Sequence, residues 1–234
     1  MGSPVFERAA QQHDLYCRAL VSCGCSIIRL EAEDRYPDST FVEDTAVLTT
    51  RGGVVTRPGT ASRLGEIDSV APVLLQHFGR LYSIREPGTL DGGDVCEAGE
   101  HFFIGISQRT NEEGAKQLAS LLESFGYGSS LIDIRGLSNI LHLKSGLAYL
   151  GGKHLLVIEA LRDLKEFSSY DVVALEPTEE YAANCLSING RVLIASGFPA
   201  IKRRLEQLGY HTIELDMSEF RKMDGGLSCL SLRF

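Results

Sequence analysis

Hydrophobic residues follow two different periods along this chain. In the segments 6–21, 61–78, 111–125, 161–167 and 199–208 they recur every three or four positions, which predicts a helix in each segment. A short apolar or alternating run follows each helix, at 26–30, 81–84, 131–134, 172–175 and 212–215, and this pattern is typical of a strand. The chain therefore has five predicted helix–strand pairs.

A β-hairpin is predicted between successive pairs. Apolar runs flank a glycine-containing turn at 46–56, 95–105, 147–158 and 185–195. The unit of hairpin, helix and strand recurs about every 45 residues, which indicates an α/β fold in which like units form a ring. The fifth hairpin is only half present, because 227–234 supplies one strand and residues 1–5 leave little room for its partner. We expect that N-terminal strand to be missing, which would leave an unpaired edge.

Composition narrows the classes of protein to which these units can belong. A chain of 234 residues with 44% hydrophobic content can form one domain, 1–234. The net charge of −8 argues against binding to nucleic acid. We find neither an apolar stretch of membrane-spanning length nor a signal-peptide pattern, so we expect a cytoplasmic protein that does not bind membranes.

The cysteines give little sign of a disulfide scaffold or a metal site. Six are spread along a long chain, without the dense spacing of small disulfide-rich domains, and we expect reduced thiols. His13, Cys17, Cys23 and Cys25 are close in sequence, but their spacing matches no familiar zinc ligand set. Packing of small buried residues explains them better, and we predict no metal.

Aligning the repeated units brings chemically active residues to one place. The positions just before each hairpin are polar, and Cys229 follows the last of them: Glu43 and Asp44, Asp91, His142, Asn184, and Asp224. In a ring of like units these positions would face one axis. The axis would then collect carboxylates, an imidazole and a thiol.

Such a set suits nucleophilic attack on a cation. A thiol needs a base or a nearby positive charge, and His142 is the candidate partner of Cys229. A histidine between apolar neighbours is more often structural, and a cysteine more often packs in a core; the repeat alignment favours function for both. Carboxylates at Glu43, Asp44 and Asp91 would repel one another without a cation, although each also fits an ordinary turn. A planar guanidinium is a natural ligand for them.

Arginines at the junctions between hairpins and helices suggest a second part of the site. Arg57, Arg63 and Arg109 would lie on one rim, where a guanidinium can hold a substrate carboxylate; simple solvation explains any one of them as well. The glycine-rich segments contain neither of the common nucleotide-binding motifs.

The sequence resembles the dimethylarginine dimethylaminohydrolase family of guanidino-group-modifying enzymes. Seven motifs carry the resemblance in order: Tyr36-Pro-Asp-Ser-Thr-Phe-Val-Glu-Asp44, Thr56-Arg-Pro-Gly-Thr-Ala-Ser-Arg63, Leu90-Asp-Gly-Gly-Asp94, Ser107-Gln-Arg-Thr-Asn111, Leu141-His-Leu-Lys144, Tyr181-Ala-Ala-Asn-Cys185 and Asp224-Gly-Gly-Leu-Ser-Cys229. The resemblance implies a five-bladed α/β-propeller (pentein) and hydrolysis of Nω-methylated arginines to citrulline and methylamines. It implies no required cofactor.

The same resemblance implies a role for individual residues. Cys229 is similar to the nucleophile, His142 to the acid and base, and Asp91 to the acid that supports His142. The remaining motif positions are similar to substrate ligands: Glu43 and Asp44 for the guanidinium, Asp38 for the polar end, Arg63 and Arg109 for the carboxylate, Met223 through its backbone, and Phe41 as pocket lining.

The chain departs from the family pattern chiefly at its start, where relatives carry a strand and a flexible lid loop. We expect both to be missing here, which bears on closure of the site. Two alternatives stay open: an arginine deiminase acting on free arginine, and a catalytically silent propeller that binds guanidino ligands or serves as a scaffold. A homodimer is also compatible with the sequence.

Overall fold

The chain folds into five α-helices and twelve short strands within the described residues. The computed structural model describes residues 2–234. The helices are α1 (Phe6–Ser22), α2 (Ile67–Phe78), α3 (Glu112–Ser124), α4 (Pro199–Gln207) and α5 (Ser218–Arg221). The strands are β1 (Ala46–Thr49), β2 (Gly52–Val55), β3 (Leu81–Ser83), β4 (Val95–Ala98), β5 (His101–Ile106), β6 (Gly128–Asp133), β7 (Leu147–Gly151), β8 (His154–Val157), β9 (Asp171–Ala174), β10 (Leu186–Ile188), β11 (Arg191–Ala195) and β12 (His211–Leu215).

The strands form four sheets that share one plan. Each has three strands in chain order, β1-β2-β3, β4-β5-β6, β7-β8-β9 and β10-β11-β12. The first two strands of each sheet are antiparallel and the last two are parallel. A tight turn can join an antiparallel pair, whereas a parallel pair needs a crossover, which α2, α3 and α4 supply in three sheets. The α/β class and the four predicted hairpins are confirmed.

The chain divides into two compact units. One comprises Met1–Arg29 with Ser145–Ser228, and the other comprises Leu30–Lys144 with Cys229–Phe234. The first unit holds α1 and the sheets of β7–β9 and β10–β12. The second holds the other two sheets with α2 and α3. The prediction of a single domain stays a prediction.

The core of the second unit forms where α3 covers the sheet of β4–β6. Ala115, Leu118 and Leu122 lie on one stripe of the helix, and all three are fully buried. They belong to one hydrophobic cluster with Phe102 and Ile104 of β5. Burial of a leucine side chain contributes about 1.5–3 kcal/mol, so this stripe fixes the helix on the sheet.

Two predicted strands are wrong. Residues 26–30 form no strand, and Ile27 and Ile28 are 38% and 52% exposed. Residues 227–234 contain only a 3-10 turn, Ser228–Leu230. The amide of Ser228 donates to the Asn184 side chain at 2.8 Å, so it is not available to a strand ladder. An apolar run becomes a strand only where a partner can accept its backbone hydrogen bonds.

The predicted helix at 161–167 is also wrong. This segment consists of two 3-10 turns, Glu159–Leu161 and Lys165–Phe167. Leu161 and Phe167 are both buried, but Leu164 between them has an extended backbone with ψ at 130°, which interrupts the helical run. The predicted helix 61–78 begins as a 3-10 turn, Ala61–Glu66, and becomes α-helical at Ile67.

None of the helices within residues 2–234 has both the length and the apolar character that crossing a bilayer requires.

Gly114 tests how closely the chain packs at the start of α3. In an open helix a Gly→Ala change stabilises by about 1 kcal/mol. A Cβ on Gly114 would instead overlap the backbone carbonyl of Thr89, so we expect Gly114→Ala to lower the free energy of unfolding by about 1–3 kcal/mol. Urea unfolding measures the change. Gly136→Ala, where a Cβ meets nothing within 4 Å, is the control; equal stability of the two variants would contradict the packing described.

Candidate active site

A buried histidine and a buried carboxylate form the centre of the candidate site. The Nε2 atom of His142 lies 2.9 Å from Oδ2 of Asp91, whose Oδ1 accepts a hydrogen bond from the Gly59 amide at 2.8 Å. His142 is 7% exposed and Asp91 is fully buried. Each residue immediately precedes a 3-10 turn that leads into a hairpin. The repeat alignment therefore predicted correctly that these two side chains meet.

The imidazole packs directly against the backbone of Gly93. A Cβ atom at this position would lie 2.9 Å from Cγ of His142 and 2.8 Å from Oδ1 of Asp44. The Gly93 amide donates to the same Asp44 oxygen at 2.8 Å. A side chain here would push the imidazole away from Asp91, so the glycine is required by close approach.

The surroundings of His142 favour its charged form. Burial lowers its pKa, but Asp44, the hydrogen bond to Asp91 and the charge of Asp94 outweigh burial and raise the pKa to about 9. Burial raises the pKa of Asp91, but the hydrogen bond and charge of His142 bring it below its ordinary value. At neutral pH the two residues are an ion pair, in which Nε2–H donates to Asp91.

Asp44 is held between His142 and a buried arginine. Its Oδ1 lies 3.9 Å from His142 Nε2, and its Oδ2 lies 2.5 Å from Nη1 of Arg63. Arg63 is 4% exposed, and Glu66 accepts from its Nε and Nη2. Two backbone carbonyls complete its partners, those of Asp38 and Phe41. Despite burial, these carboxylates raise the pKa of Arg63, so it remains a cation.

Glu43 points to a different pair of cations. Its Oε1 accepts from Nζ of Lys144 at 2.6 Å and from Nη2 of Arg233 at 3.3 Å. Lys144 is two residues beyond His142, and Arg233 is four residues beyond Cys229. The carboxylate, which is 3% exposed, thus ties the segment of the histidine to the segment of the cysteine.

Cys229 lies in the 3-10 turn Ser228–Leu230 and is half-buried. Beyond it the chain is anchored to the second unit. Leu232 packs on the cluster that contains Leu48 and Leu74, and the ring of Phe234 lies 5.3 Å from that of Phe78. Like the other cysteines within residues 2–234, Cys229 forms no disulfide.

The other predicted ligands occupy varied surroundings. Asp38 is exposed and Phe41 is buried. The half-buried Arg109 donates from Nη1 to Oγ1 of Thr60. Met223 is half-buried in the first unit, just after α5.

Three ligand atoms have a spacing that a metal ion would accept. One each from Asp44, Asp91 and His142, they lie within 4.8 Å of one another. Metal ligation requires a neutral imidazole, however, and His142 is held as a cation by the same carboxylates. The cluster is accounted for by its own ion pair. Elsewhere, Sγ of Cys17 lies 3.8 Å from Nδ1 of His13, as their spacing on α1 predicts.

Several residues that shape the site were not singled out from the sequence. Glu66 lies one helical turn beyond Arg63, a spacing that could have indicated the pair. Asp94, Ser107 and Thr110 stand inside recognised motifs, but nothing in their sequence context showed that they would be buried together.

Comparisons with known proteins identify the family of the chain. No family model matches the chain. The chain is 42% identical to the N(G),N(G)-dimethylarginine dimethylaminohydrolase of Pseudomonas aeruginosa, over 100% of its own length and 91% of the relative's.

Among solved structures, a cysteine-to-serine mutant of that dimethylarginine dimethylaminohydrolase, complexed with citrulline, superimposes with a TM-score of 0.96 at 41% identity, covering 100% of this chain and 91% of that one. The N-terminal domain of a cyanobacterial arginine dihydrolase gives a TM-score of 0.90 at 18% identity, covering 98% of this chain and 87% of that one, a likeness of fold alone. The chain belongs to the dimethylarginine dimethylaminohydrolase family.

Proposed function

We propose that this chain hydrolyses Nω-methylated arginines, such as asymmetric dimethylarginine and monomethylarginine, to citrulline and a methylamine. The observation that carries the proposal is the buried ion pair of His142 and Asp91 with Asp44 beside it, in a member of this family. The pair offers a proton donor next to carboxylates that select a cation.

The carboxylates explain why the substrate is a guanidinium. Asp44 and Asp91 are buried, and their negative charge can be balanced by a planar cation that donates to both. Asp44 is the better placed of the two predicted guanidinium ligands, because its Oδ1 lies 3.9 Å from His142 Nε2, whereas Glu43 pairs with Lys144 and Arg233. We assign Glu43 to alignment of the two catalytic segments, in addition to its predicted role as a ligand.

The chemistry then needs one nucleophile and one proton carrier. The Cys229 thiolate adds to the guanidinium carbon, and His142 gives its proton to the departing methylamine as the C–N bond breaks. A thiouronium remains on the sulfur. Water then adds to the same carbon while His142 takes up one of its protons. The C–S bond breaks and the remaining hydroxyl proton passes to solvent, which gives citrulline and the thiolate. Thiol and imidazole supply every group required, so we propose that no cofactor takes part.

The rest of the substrate is an amino acid with a carboxylate and an ammonium group. Arg109 is our candidate for the carboxylate, Asp38 for the ammonium group, and the Met223 backbone for a further contact. Phe41 would line the pocket. Arg63 was predicted as a second carboxylate ligand, but its buried hydrogen bonds support a role in holding Asp44.

We also propose that the repeated plan belongs to a five-bladed α/β-propeller. Four copies of the same three-stranded sheet, three of them with a crossover helix, support it. The fifth blade would include α1.

Cys229→Ser tests the nucleophile. Wild-type protein incubated with asymmetric dimethylarginine should release citrulline and dimethylamine, and the variant should lose at least about 1,000-fold in kcat, because a hydroxyl is a much weaker nucleophile. Citrulline colorimetry measures the complete reaction, and the mass of a trapped adduct reports formation of the thiouronium. Cys25→Ser is the control, since Cys25 is half-buried in a segment without regular structure. Equal turnover by all three proteins would refute the role of Cys229.

Free arginine, assayed in parallel, separates the proposed activity from that of a deiminase. We expect the methylated substrate to have the higher kcat/KM. Preference for arginine would favour the deiminase, and calorimetric binding of either ligand without product would favour a silent binding protein.

The pH profile tests His142 as the proton donor. Its pKa is raised to about 9, so the imidazole is protonated at neutral pH and loses its proton above that value. We expect kcat/KM to fall as the pH rises through about 9, because kcat/KM reports the free enzyme. Asp44→Asn removes the strongest interaction that raises this pKa, and should move the descending limb to lower pH. A limb near 6.5, unchanged in the variant, would contradict the assignment.

The two buried or half-buried arginines should respond differently to substitution. Arg109→Gln should raise KM by about 10- to 100-fold with little change in kcat, because a charged hydrogen bond to the substrate carboxylate is lost. Arg63→Lys should chiefly lower kcat, because lysine cannot bridge Asp44 and Glu66 as Arg63 does. Gln108→Ala, an exposed neighbour of Arg109, is the control. The same rise in KM in both arginine variants would instead make Arg63 a substrate ligand.

A further inference from the structure

Asp94 is a completely buried carboxylate that the proposed chemistry does not use. Its Oδ2 accepts from the hydroxyls of Ser107 and Thr110, both at 2.6 Å, and its Oδ1 accepts from the Leu143 amide at 2.9 Å. It ends the 3-10 turn Gly92–Asp94, three residues after Asp91. A buried carboxylate is costly, so three donors converging on one deserve a functional explanation.

One of these hydrogen bonds connects Asp94 to Asp91. The Thr110 hydroxyl donates to Asp94, and the same oxygen accepts from the Asp91 amide at 3.1 Å. Thr110 is itself fully buried. The threonine therefore fixes the backbone of Asp91, and with it the direction in which that carboxylate approaches His142.

A second hydrogen bond connects Asp94 to His142. The amide of Leu143 is the peptide link directly after His142, and Asp94 accepts from it. This bond fixes the carbonyl end of the histidine while Gly93 supports its ring. Asp94 thus holds both members of the pair, one through a side chain and the other through the backbone.

The third hydrogen bond connects Asp94, through Ser107, to the backbone of Arg109. The Ser107 hydroxyl donates to Asp94 and accepts from the amides of Arg109 and Thr110, at 2.9 and 3.0 Å. Both lone pairs of this hydroxyl are therefore occupied, so its hydrogen points to Asp94. Burial raises the pKa of Asp94, but an ionised carboxylate, which can only accept, is the form that these three donors fit.

We propose that Asp94 is a positioning residue that sets the mutual geometry of Asp91 and His142 for the hydrolysis proposed above. The inference rests on that function for its effect on catalysis, but the geometry of the pair is a property of the free protein. Asp94 also adds to the negative field on the imidazole, to which Asp44 and Asp91 contribute from their own segments, while Arg63 acts on Asp91.

Asp94→Asn tests the proposal with little change in volume. The amide oxygen can accept from both hydroxyls only if the NH₂ group replaces the oxygen that accepts from Leu143, where two donors would then meet. Asp91 and His142 should therefore lose their alignment, and the imidazole should lose a negative neighbour. We expect the titration midpoint of the His142 Cε1–H resonance to fall by about 1 pH unit, and kcat to fall by about 10- to 100-fold. The basic limb of kcat/KM should shift with the midpoint. His142→Gln assigns the resonance by its loss.

A control variant and the melting temperature of Asp94→Asn separate positioning from simple stability. Asp133→Asn removes an exposed carboxylate from β6, and should leave both the His142 midpoint and kcat unchanged. If Asp94→Asn were folded, with a lower melting temperature but with wild-type midpoint and kcat, Asp94 would be merely structural and the proposal would be overturned.

Thr110 provides a second test that does not depend on folding of the Asp94 variant. Thr110→Val is nearly isosteric but removes both the donor to Asp94 and the acceptor for Asp91, whereas Thr110→Ser keeps them. We expect the valine variant to lower kcat with KM little changed, and the serine variant to restore it. Equal kcat in the two variants would overturn the inference. If wild-type protein hydrolysed no methylarginine, the proposed function would fail, and the His142 midpoint in Asp94→Asn and Thr110→Val would still decide the positioning role.

Discussion

The interaction on which the site depends is that of one imidazolium with the carboxylates around it. Three aspartates influence the charge of His142, and none is exposed by more than 4%. A charge buried from solvent is stable only if an opposite charge or a set of hydrogen-bond donors compensates it. Gly59, Gly93 and Leu143 provide those donors from the backbone. The backbone conformation of these loops therefore places amide donors next to the buried carboxylates.

This demand explains the Asp-Gly-Gly-Asp sequence. The first aspartate meets His142, and the last binds the backbone beyond it, so the turn grips the histidine from two sides. The glycine at position 93 lets the ring approach. A turn that looks generic in sequence therefore positions one side chain, that of His142. Its two aspartates, Asp91 and Asp94, have different partners and are not interchangeable.

Much of this arrangement could be predicted, since hairpin turns and helix periodicity are local signals. The four hairpins and the pairing of Asp91 with His142 followed from the repeat. The strands at 26–30 and 227–234 did not form, because strand formation depends on a partner that local sequence does not specify. The partners of Glu43 were also unpredictable, since Lys144 and Arg233 lie 101 and 190 residues from it in the chain. Sequence motifs indicate which residues belong to a site, but they do not indicate which of those residues contact one another.

The raised pKa of His142 has a thermodynamic consequence for binding. In the function that we propose, the negative field that keeps a proton on the imidazole also attracts the guanidinium of the substrate, so the two cations compete for it. Binding of the guanidinium must lower the affinity of His142 for its proton. By linkage, a fraction of a proton is released from the protein when the ligand binds. The heat of association would then vary with the ionisation enthalpy of the buffer. Ligand binding is therefore coupled to proton release, and the pH of the solution determines how strongly the ligand binds.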